Sequence, residues 1–152
     1  MISIRQARPA DAETILAFQM AMAEEVEDVR LDPKTVAAGV RAVLDDPTRG
    51  RYWLAEVDGQ VAGGLLVTPE WSDWRNGTVL WLQSVYVRPA FRRRGVFRRL
   101  FEHVRGLIAR DDALKGLRLY VDRRNALARQ IYADLGLDGE HYQTYEWMKA
   151  RS

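Results

Sequence analysis

The stretch Val85-Tyr86-Val87-Arg88-Pro89-Ala90-Phe91-Arg92-Arg93-Arg94-Gly95-Val96-Phe97-Arg98-Arg99-Leu100 decides the fold. Its apolar start reads as a buried strand, and Arg88-Pro89 ends that strand because proline has no N–H for the ladder. After Gly95 the apolar positions Val96, Phe97, Leu100, Phe101, Val104, Leu107 and Ile108 fall on one helical stripe. A strand that feeds a short loop into a helix N-terminus presents unpaired backbone N–H groups and a positive dipole end, which together make an anion site. Gly95 permits close approach of backbone to a phosphate, and Arg92, Arg93 and Arg94 offer bidentate hydrogen bonds. Taken alone, the run also reads as a solvated basic turn. Its position decides otherwise: cations at a helix N-terminus oppose the dipole, so five arginines between 92 and 99 cost stability unless an anion offsets them. The stretch predicts a ligand carrying several phosphate charges.

Upstream, Ile2-Ser3-Ile4-Arg5 alternates like a short strand. Pro9-Ala10-Asp11 then opens a helix bearing Ile15, Leu16, Phe18, Met20, Met22 and Val26, which ends in the acidic run Glu24-Glu25-Val26-Glu27-Asp28. Asp32-Pro33 starts a second helix with Val36, Val40, Val43 and Leu44 at helical spacing, stopped by Pro47. Runs from Tyr52 to Val57 and from Val61 to Val67 flank Asp58-Gly59, a hairpin signal. Pro69 to Gly77 reads as a polar aromatic loop, and Val79 to Val87 as the next strand. Downstream, Leu117 to Val121 reads as a strand, and a helix from about Ala126 to Leu135 turns Leu127, Ile131 and Leu135 inward. That helix stops at Gly136, and Tyr142 to Met148 reads as a terminal strand. With no repeat or linker, the pattern predicts one α+β domain over residues 1–152, a mostly antiparallel sheet with helices on both faces.

The 152 residues are 47% hydrophobic and 29% charged, which suits one compact domain with its own core. Net charge is only +2, yet the basic set is 20 Arg to 3 Lys, and the chain carries −5 up to Val87 and +7 beyond it. The arginine excess is compatible with codon bias as well as with phosphate recognition. The charge asymmetry suits an anionic cofactor on one side and a cationic substrate on the other. Most individual charges also read as solvated helix faces. The absence of cysteine excludes disulfides, thiolate catalysis and iron–sulfur clusters. His103 and His141 lack partners at ligand spacing, so no metal site is expected. No signal peptide or membrane-length apolar run is present, and a cytoplasmic location is the expectation.

Two blocks in order resemble the GNAT superfamily of N-acetyltransferases, and the resemblance spans Ile2 to about Met148. Arg92-Arg93-Arg94-Gly95-Val96-Phe97 is similar to the family's acyl-CoA loop, Gln/Arg-x-x-Gly-x-Gly/Ala, at its first and fourth positions, with Phe97 departing at the sixth. The block from Val121 to Leu137, which contains Asn125, Ala128, Tyr132 and Gly136, is similar to the family's strand-Asn-x-x-Ala-x-x-x-Tyr-x-x-x-Gly-Phe signature, with Leu137 in place of the final aromatic. The resemblance implies a three-layer α/β/α fold, acetyl-CoA as co-substrate, no metal, and an amine acceptor. Backbone of Val85, Tyr86 and Val87 would then pair with the pantetheine arm as with an added strand. Arg92, Arg93, Arg94, Gly95, Val96 and Phe97 would hold the pyrophosphate, Asn125 would bond the pantetheine or the thioester end, and Tyr132 would stand near the sulfur. Read without the family, Asn125 is equally a helix N-cap, and Tyr132 a buried aromatic with a bonded hydroxyl.

Acetyl transfer needs a neutral amine, a stabilised oxyanion and protonation of the departing thiolate. Tyr132 suits the last, and a backbone N–H around Val85 to Tyr86 suits the second. Gln83 stands where many family members carry a glutamate; it cannot take a proton, though it can orient a water. Glu70, Asp73, Glu24, Glu25, Glu27, Asp28 and Tyr86 are the alternative bases, and the sequence selects none of them. Trp71 and Trp74 in the polar loop, with Glu25 in the acidic run, are the acceptor-side residues, suited to a cationic amine over aromatic faces. Trp53 and Trp81 read as alternating core residues. Two further functions stay open: a non-catalytic CoA-binding regulatory domain, and a nucleic-acid module built on the Arg92 to Arg99 cluster, disfavoured because its tryptophans lie in the acidic half. A homodimer is compatible with the family; no nucleic-acid or membrane partner is expected.

Overall fold

The computed structural model describes residues 1–27 and 29–150. The chain divides into two compact units, Met1–Leu119 and Tyr120–Ser152. The first holds strands β1 (Ile2–Gln6), β2 (Arg51–Val57), β3 (Gln60–Ser72), β4 (Gly77–Val87) and β5 (Leu114–Leu119), with helices α1 (Ala12–Met22), α2 (Pro33–Asp45) and α3 (Val96–Arg110). The sheet order is β1-β2-β3-β4-β5, antiparallel throughout except for the parallel β4–β5 pair. This is the mostly antiparallel α+β architecture expected from the sequence.

Side-chain alternation assigns the two faces. Tyr52, Leu54 and Tyr86 join Ile15 and Phe18 of α1 and Val40 of α2 in one buried cluster, with Leu66 packed against it. On the other face Trp53 meets α3, its ring 4.2 Å from that of His103. The α3 residues Val96, Leu100, Phe101 and Val104 are buried, and each such burial contributes about 1.5–3 kcal/mol. Burial, then the positive Arg110, lowers the His103 pKa and keeps the imidazole neutral against Trp53. Helices therefore cover both faces of the sheet.

Local chemistry places the helices. Asp32 caps α2, accepting from the Thr35 amide at 3.2 Å and its hydroxyl at 2.6 Å, with Pro33 at the first helical position. Ahead of α1, Asp11 receives both guanidinium nitrogens of Arg5, at 2.8 and 2.9 Å, and the Arg8 amide at 2.7 Å. After Met22 the chain widens into a π-helical turn, Ala23–Glu27, which carries Glu24 and Glu25; Asp28 lies outside the described residues.

Two boundaries differ from the sequence expectation. The presumed loop from Pro69 to Gly77 is mostly strand, because β3 pairs with β4 out to Ser72↔Gly77 and only residues 73–76 turn. Pro69 is tolerated because β2 pairs with β3 no further than Val67, so the β3 backbone has a free side there. The turn is closed by the Arg75 amide donating to the Ser72 carbonyl at 3.2 Å, with Asn76 at φ +48°. The last strand of the first unit also sits earlier than expected, at Leu114–Leu119.

The second unit contains α4 (Ala126–Asp134). The Asn125 side chain caps it, accepting from the Ala128 amide at 3.0 Å. Paired bonds from the Leu137 amide to the Tyr132 carbonyl and from the Gly136 amide to the Ala133 carbonyl, both 3.0 Å, close its C-terminus. The strand expected over 142–148 is not formed among the described residues. Alternation favours a strand without sufficing to make one. Leu127 and Ile131, expected to point inward, are exposed.

Asp11 supplies a stability prediction. Its pKa is lowered, first by the Arg5 hydrogen bonds. A lowered carboxylate pKa contributes stability that is complete above the ordinary 3.8 and is lost as pH falls through the folded value. Asp11→Ala should cost about 2–3 kcal/mol in urea denaturation at pH 7, and should flatten the acid limb of the stability–pH curve relative to the parent protein.

Candidate active site

The site is built on an asymmetry of β4. Parallel pairing with β5 ends at Leu82↔Leu119, while antiparallel pairing with β3 continues to Gly63↔Val87. Among the described strands of the first unit, residues 83–87 thus keep a sheet partner on one side and leave their other backbone edge unpaired by β5. Within this span the strand bulges: Gly64 pairs with Tyr86 and Leu66 with Gln83, so Ser84 and Val85 together oppose Leu65. Ser84 takes the left-handed region, φ +54°, where a non-glycine residue is strained. Gly63 makes the approach possible, because a Cβ there would lie 2.5 Å from the Tyr86 carbonyl oxygen.

β4 leads through a short 3-10 turn, Pro89–Phe91, into the arginine loop. Arg93 and Gly95 both have positive φ, +62° and +81°. Gly95 is the N-cap of α3, which has no side-chain cap. The first intrahelical bond runs from the Arg99 amide to the Gly95 carbonyl, 3.1 Å, so the amides before it have no carbonyl in a preceding turn. Apart from Gly95 itself and its two chain neighbours, no atom lies within 4 Å of the position a Gly95 Cβ would take. The required features of an anion site, an uncapped N-terminus and unobstructed backbone, are both present. Arg94 lies over the Phe91 ring at 5.3 Å. Phe97 belongs to the helix stripe, its ring 6.1 Å from Phe101.

Arg92 is held differently. Its Nε donates to the Val87 carbonyl at 2.8 Å, one terminal nitrogen bonds Glu25 at 2.7 Å, and the guanidinium sits 5.6 Å from the Tyr86 ring centroid. Tyr86 Oη also donates to Glu25, at 3.3 Å. Burial, then the Glu25 charge, push the Tyr86 pKa up, so this phenol is a donor rather than a base. The π-helical turn after α1 thereby brings a carboxylate to the edge of the bulge.

The α1–α2 face of the sheet continues past the bulge as a polar row. Gln83 Nε2 donates to Thr68 Oγ1 at 2.6 Å, and Arg118 donates to Glu70 at 2.6 Å. Trp81 sits between Thr68 and Arg118 in register. Trp71 lies at the far end of β3 and Trp74 in the hairpin turn, both exposed. Thr78, opposite Trp71, is five residues from Gln83 along β4, about 17 Å. The first unit therefore groups Glu25, Gln83, Val85, Tyr86, Val87 and Arg92, and leaves Trp71 and Trp74 at the opposite end of the hairpin.

Asn125 and Tyr132 belong to the second unit. The Asn125 oxygen is committed to the α4 cap, and burial raises the Tyr132 hydroxyl pKa. Sequence reasoning did not find Ser84 or Thr68. A serine in left-handed conformation leaves no compositional signal, whereas the Gly63-Gly64 pair inside a strand is a signal of close backbone approach. Among the described residues, no group of three His, Asp or Glu side chains is arranged to hold a metal ion, and no helix is long and apolar enough to cross a membrane.

The acetyltransferase (GNAT) family model matches residues 16–137. None of the curated proteins matches the chain significantly. Among solved structures, the chain is similar to a possible acetyltransferase from Clostridium difficile 630, at 38% identity over 99% of both chains and a TM-score of 0.92. It shares its fold with a ribosomal-protein-alanine N-acetyltransferase from Brucella melitensis biovar Abortus 2308, at 16% identity over 99% of this chain and 100% of that one, TM-score 0.78. The fold is also that of AAC(6')-Iy in complex with the bisubstrate analog CoA-S-monomethyl-acetylneamine, at 16% identity over 99% of both chains, TM-score 0.76.

The two site glycines should respond differently to alanine. Gly63→Ala drives a methyl group against backbone and should cost about 1–3 kcal/mol in denaturant unfolding. Gly95→Ala meets no atom and should cost only the left-handed strain, about 1 kcal/mol. Equal costs would contradict the backbone-contact assignment of Gly63.

Proposed function

The chain belongs to the acetyltransferase (GNAT) family, and on that premise we propose that it moves an acetyl group from acetyl-CoA to a primary amine by direct attack in a ternary complex. One observation carries the reading: β4 parts from β5 at Leu82 and runs on into a loop that opens an uncapped helix. A bare strand edge suits an amide-bearing chain, and an uncapped helix start suits phosphates. The pantetheine and pyrophosphate of CoA have these two chemistries in that order.

Val85, Tyr86 and Val87 would hold the pantetheine through backbone bonds, the Val87 carbonyl giving up its bond from Arg92. Amides of Val96 and Phe97, the Gly95 backbone and the side chains of Arg92, Arg93 and Arg94 would hold the pyrophosphate. Acetyl-CoA supplies the acetyl group as an activated thioester. A backbone N–H of the bulge would steady the carbonyl oxygen as charge develops on it. Asn125 offers its amide N–H groups, its oxygen being used in the cap. Tyr132, kept protonated by burial, would give its proton to the departing thiolate.

On the acceptor side Glu25 supplies a carboxylate for an ammonium group. Gln83, bonded to Thr68, orients rather than accepts protons, so the amine proton leaves by water or by way of Glu25. Trp71 and Trp74 stay in the reading for an acceptor long enough to extend along β3. The second reading, a CoA-binding domain without catalysis, is favoured by the same glutamine.

Calorimetry with acetyl-CoA should show micromolar or tighter binding, weakened at least tenfold by Arg92→Ala with Arg94→Ala; no heat of binding would overturn the proposal. Tyr132→Phe should lower turnover by two to four orders of magnitude while changing acetyl-CoA affinity little. Release of free thiol across a panel of amines separates the two readings: release with an amine supports transfer, and binding without release supports the non-catalytic role.

A further inference from the structure

Of the three loop arginines, Arg92 alone meets a carboxylate among the described residues. Its guanidinium occupies two groups at once: Nε donates to the Val87 carbonyl at 2.8 Å, and a terminal nitrogen donates to Glu25 at 2.7 Å. The Tyr86 ring centroid lies 5.6 Å from the same guanidinium, and the Tyr86 hydroxyl donates to Glu25 at 3.3 Å. One side chain thus ties the π-helical turn after α1 to the end of β4. The tie is weak, because Arg92 is 44% exposed and Glu25 40%, and an ion pair so well hydrated gains little. A pyrophosphate at the uncapped start of α3 offers the guanidinium stronger, bidentate hydrogen bonds. In the free chain, then, Arg92 covers the carbonyl suited to the pantetheine and the carboxylate suited to an ammonium group.

We propose that Arg92 is a latch between the donor and acceptor sites: it covers the Val87 carbonyl and Glu25 in the free chain and yields both when the phosphates of CoA recruit its guanidinium. Because a single guanidinium makes both contacts, a phosphate that draws it toward α3 breaks them as a pair. Glu25 then keeps the Tyr86 hydroxyl but has given up its cation, and it is open to the ammonium or guanidinium of a cationic acceptor. Before that, the acceptor's cation and Arg92 compete for one carboxylate. The inference rests on the proposed function and adds that the two sites are coupled through one residue, with a coupling that is reciprocal for binding.

The test uses the full chain and CoA itself. In calorimetry, Glu25→Gln frees Arg92 and should tighten CoA binding about two- to fivefold more than Glu24→Gln, which removes the same charge from the same turn. In an Arg92→Gln background that difference should disappear. Equal tightening by the two glutamate variants, or a difference that persists without Arg92, overturns the latch. In nitrogen-15 arginine spectra of the CoA-free chain, Glu25→Gln should move the Arg92 Nε–H resonance, identified by its loss in Arg92→Gln, and Glu24→Gln should leave it in place. A resonance that Glu25→Gln does not move also overturns the latch. No CoA binding by any of these chains overturns the proposed function instead, and the release step with it. In turnover with an amine that supports thiol release, Glu25→Gln should raise the acceptor KM severalfold while CoA binds more tightly. An acceptor KM that stays constant or falls overturns the coupling to the acceptor.

Discussion

Unequal hydrogen bonding on the two sides of β4 is the constraint from which the rest of the site follows. On one side β3 grips the strand through Val87; on the other β5 lets go at Leu82. A strand end with one satisfied and one open edge would ordinarily fray or aggregate. Here it is held from behind, because Gly63 brings β3 close against Tyr86 and Val87, and from the α1–α2 face, because the Tyr86 ring lies 5.2 Å from Phe18 in the buried cluster. The Ser84 strain is sustained by that packing. An edge fixed this firmly needs no backbone rearrangement to receive a ligand strand, only release of the Arg92 side chain from the Val87 carbonyl, which saves the ordering entropy that a flexible edge would lose.

The charge asymmetry of the sequence acquires a structural meaning at the same place. Arginines gather at the start of α3, where the helix dipole disfavours them, and one of them, Arg92, reaches back to Glu25 on the π-helical turn after α1. That pair is nearly half-exposed on both partners, so its own contribution to stability is small. Its value is positional: it sets an acidic group at the Tyr86 hydroxyl and a basic group 5.6 Å from the centre of the same ring, at the end of the open strand edge.

Much of this was legible in the sequence, for physical reasons. The α3 stripe, the Asp32-Pro33 helix start and the Asp58-Gly59 turn are local signals whose chemistry does not depend on distant contacts. Gly95 announced a special backbone position, and it has one. The extent of β3 was not legible, since Pro69 and the Asp73 to Gly77 turn chemistry mask a long hairpin whose edge tolerates proline. The bulge was invisible because nothing marks Ser84 for positive φ. The role of Glu25 was legible as charge but not as geometry: its contact with Arg92 spans 67 residues and depends on a π-helical turn. The tail over 142–148 showed the opposite failure, a strand pattern where no strand is assigned among the described residues.

The most direct measurement of the central claim is backbone amide NMR of the full chain titrated with CoA. The account predicts that the largest shifts and new protection from exchange fall on two groups of amides, those of residues 84–87 along the open β4 edge and those of residues 95–98 at the start of α3. Shifts confined to the arginine side chains, or centred on the hairpin turn at 73–76, with the β4 amides unmoved, would contradict it.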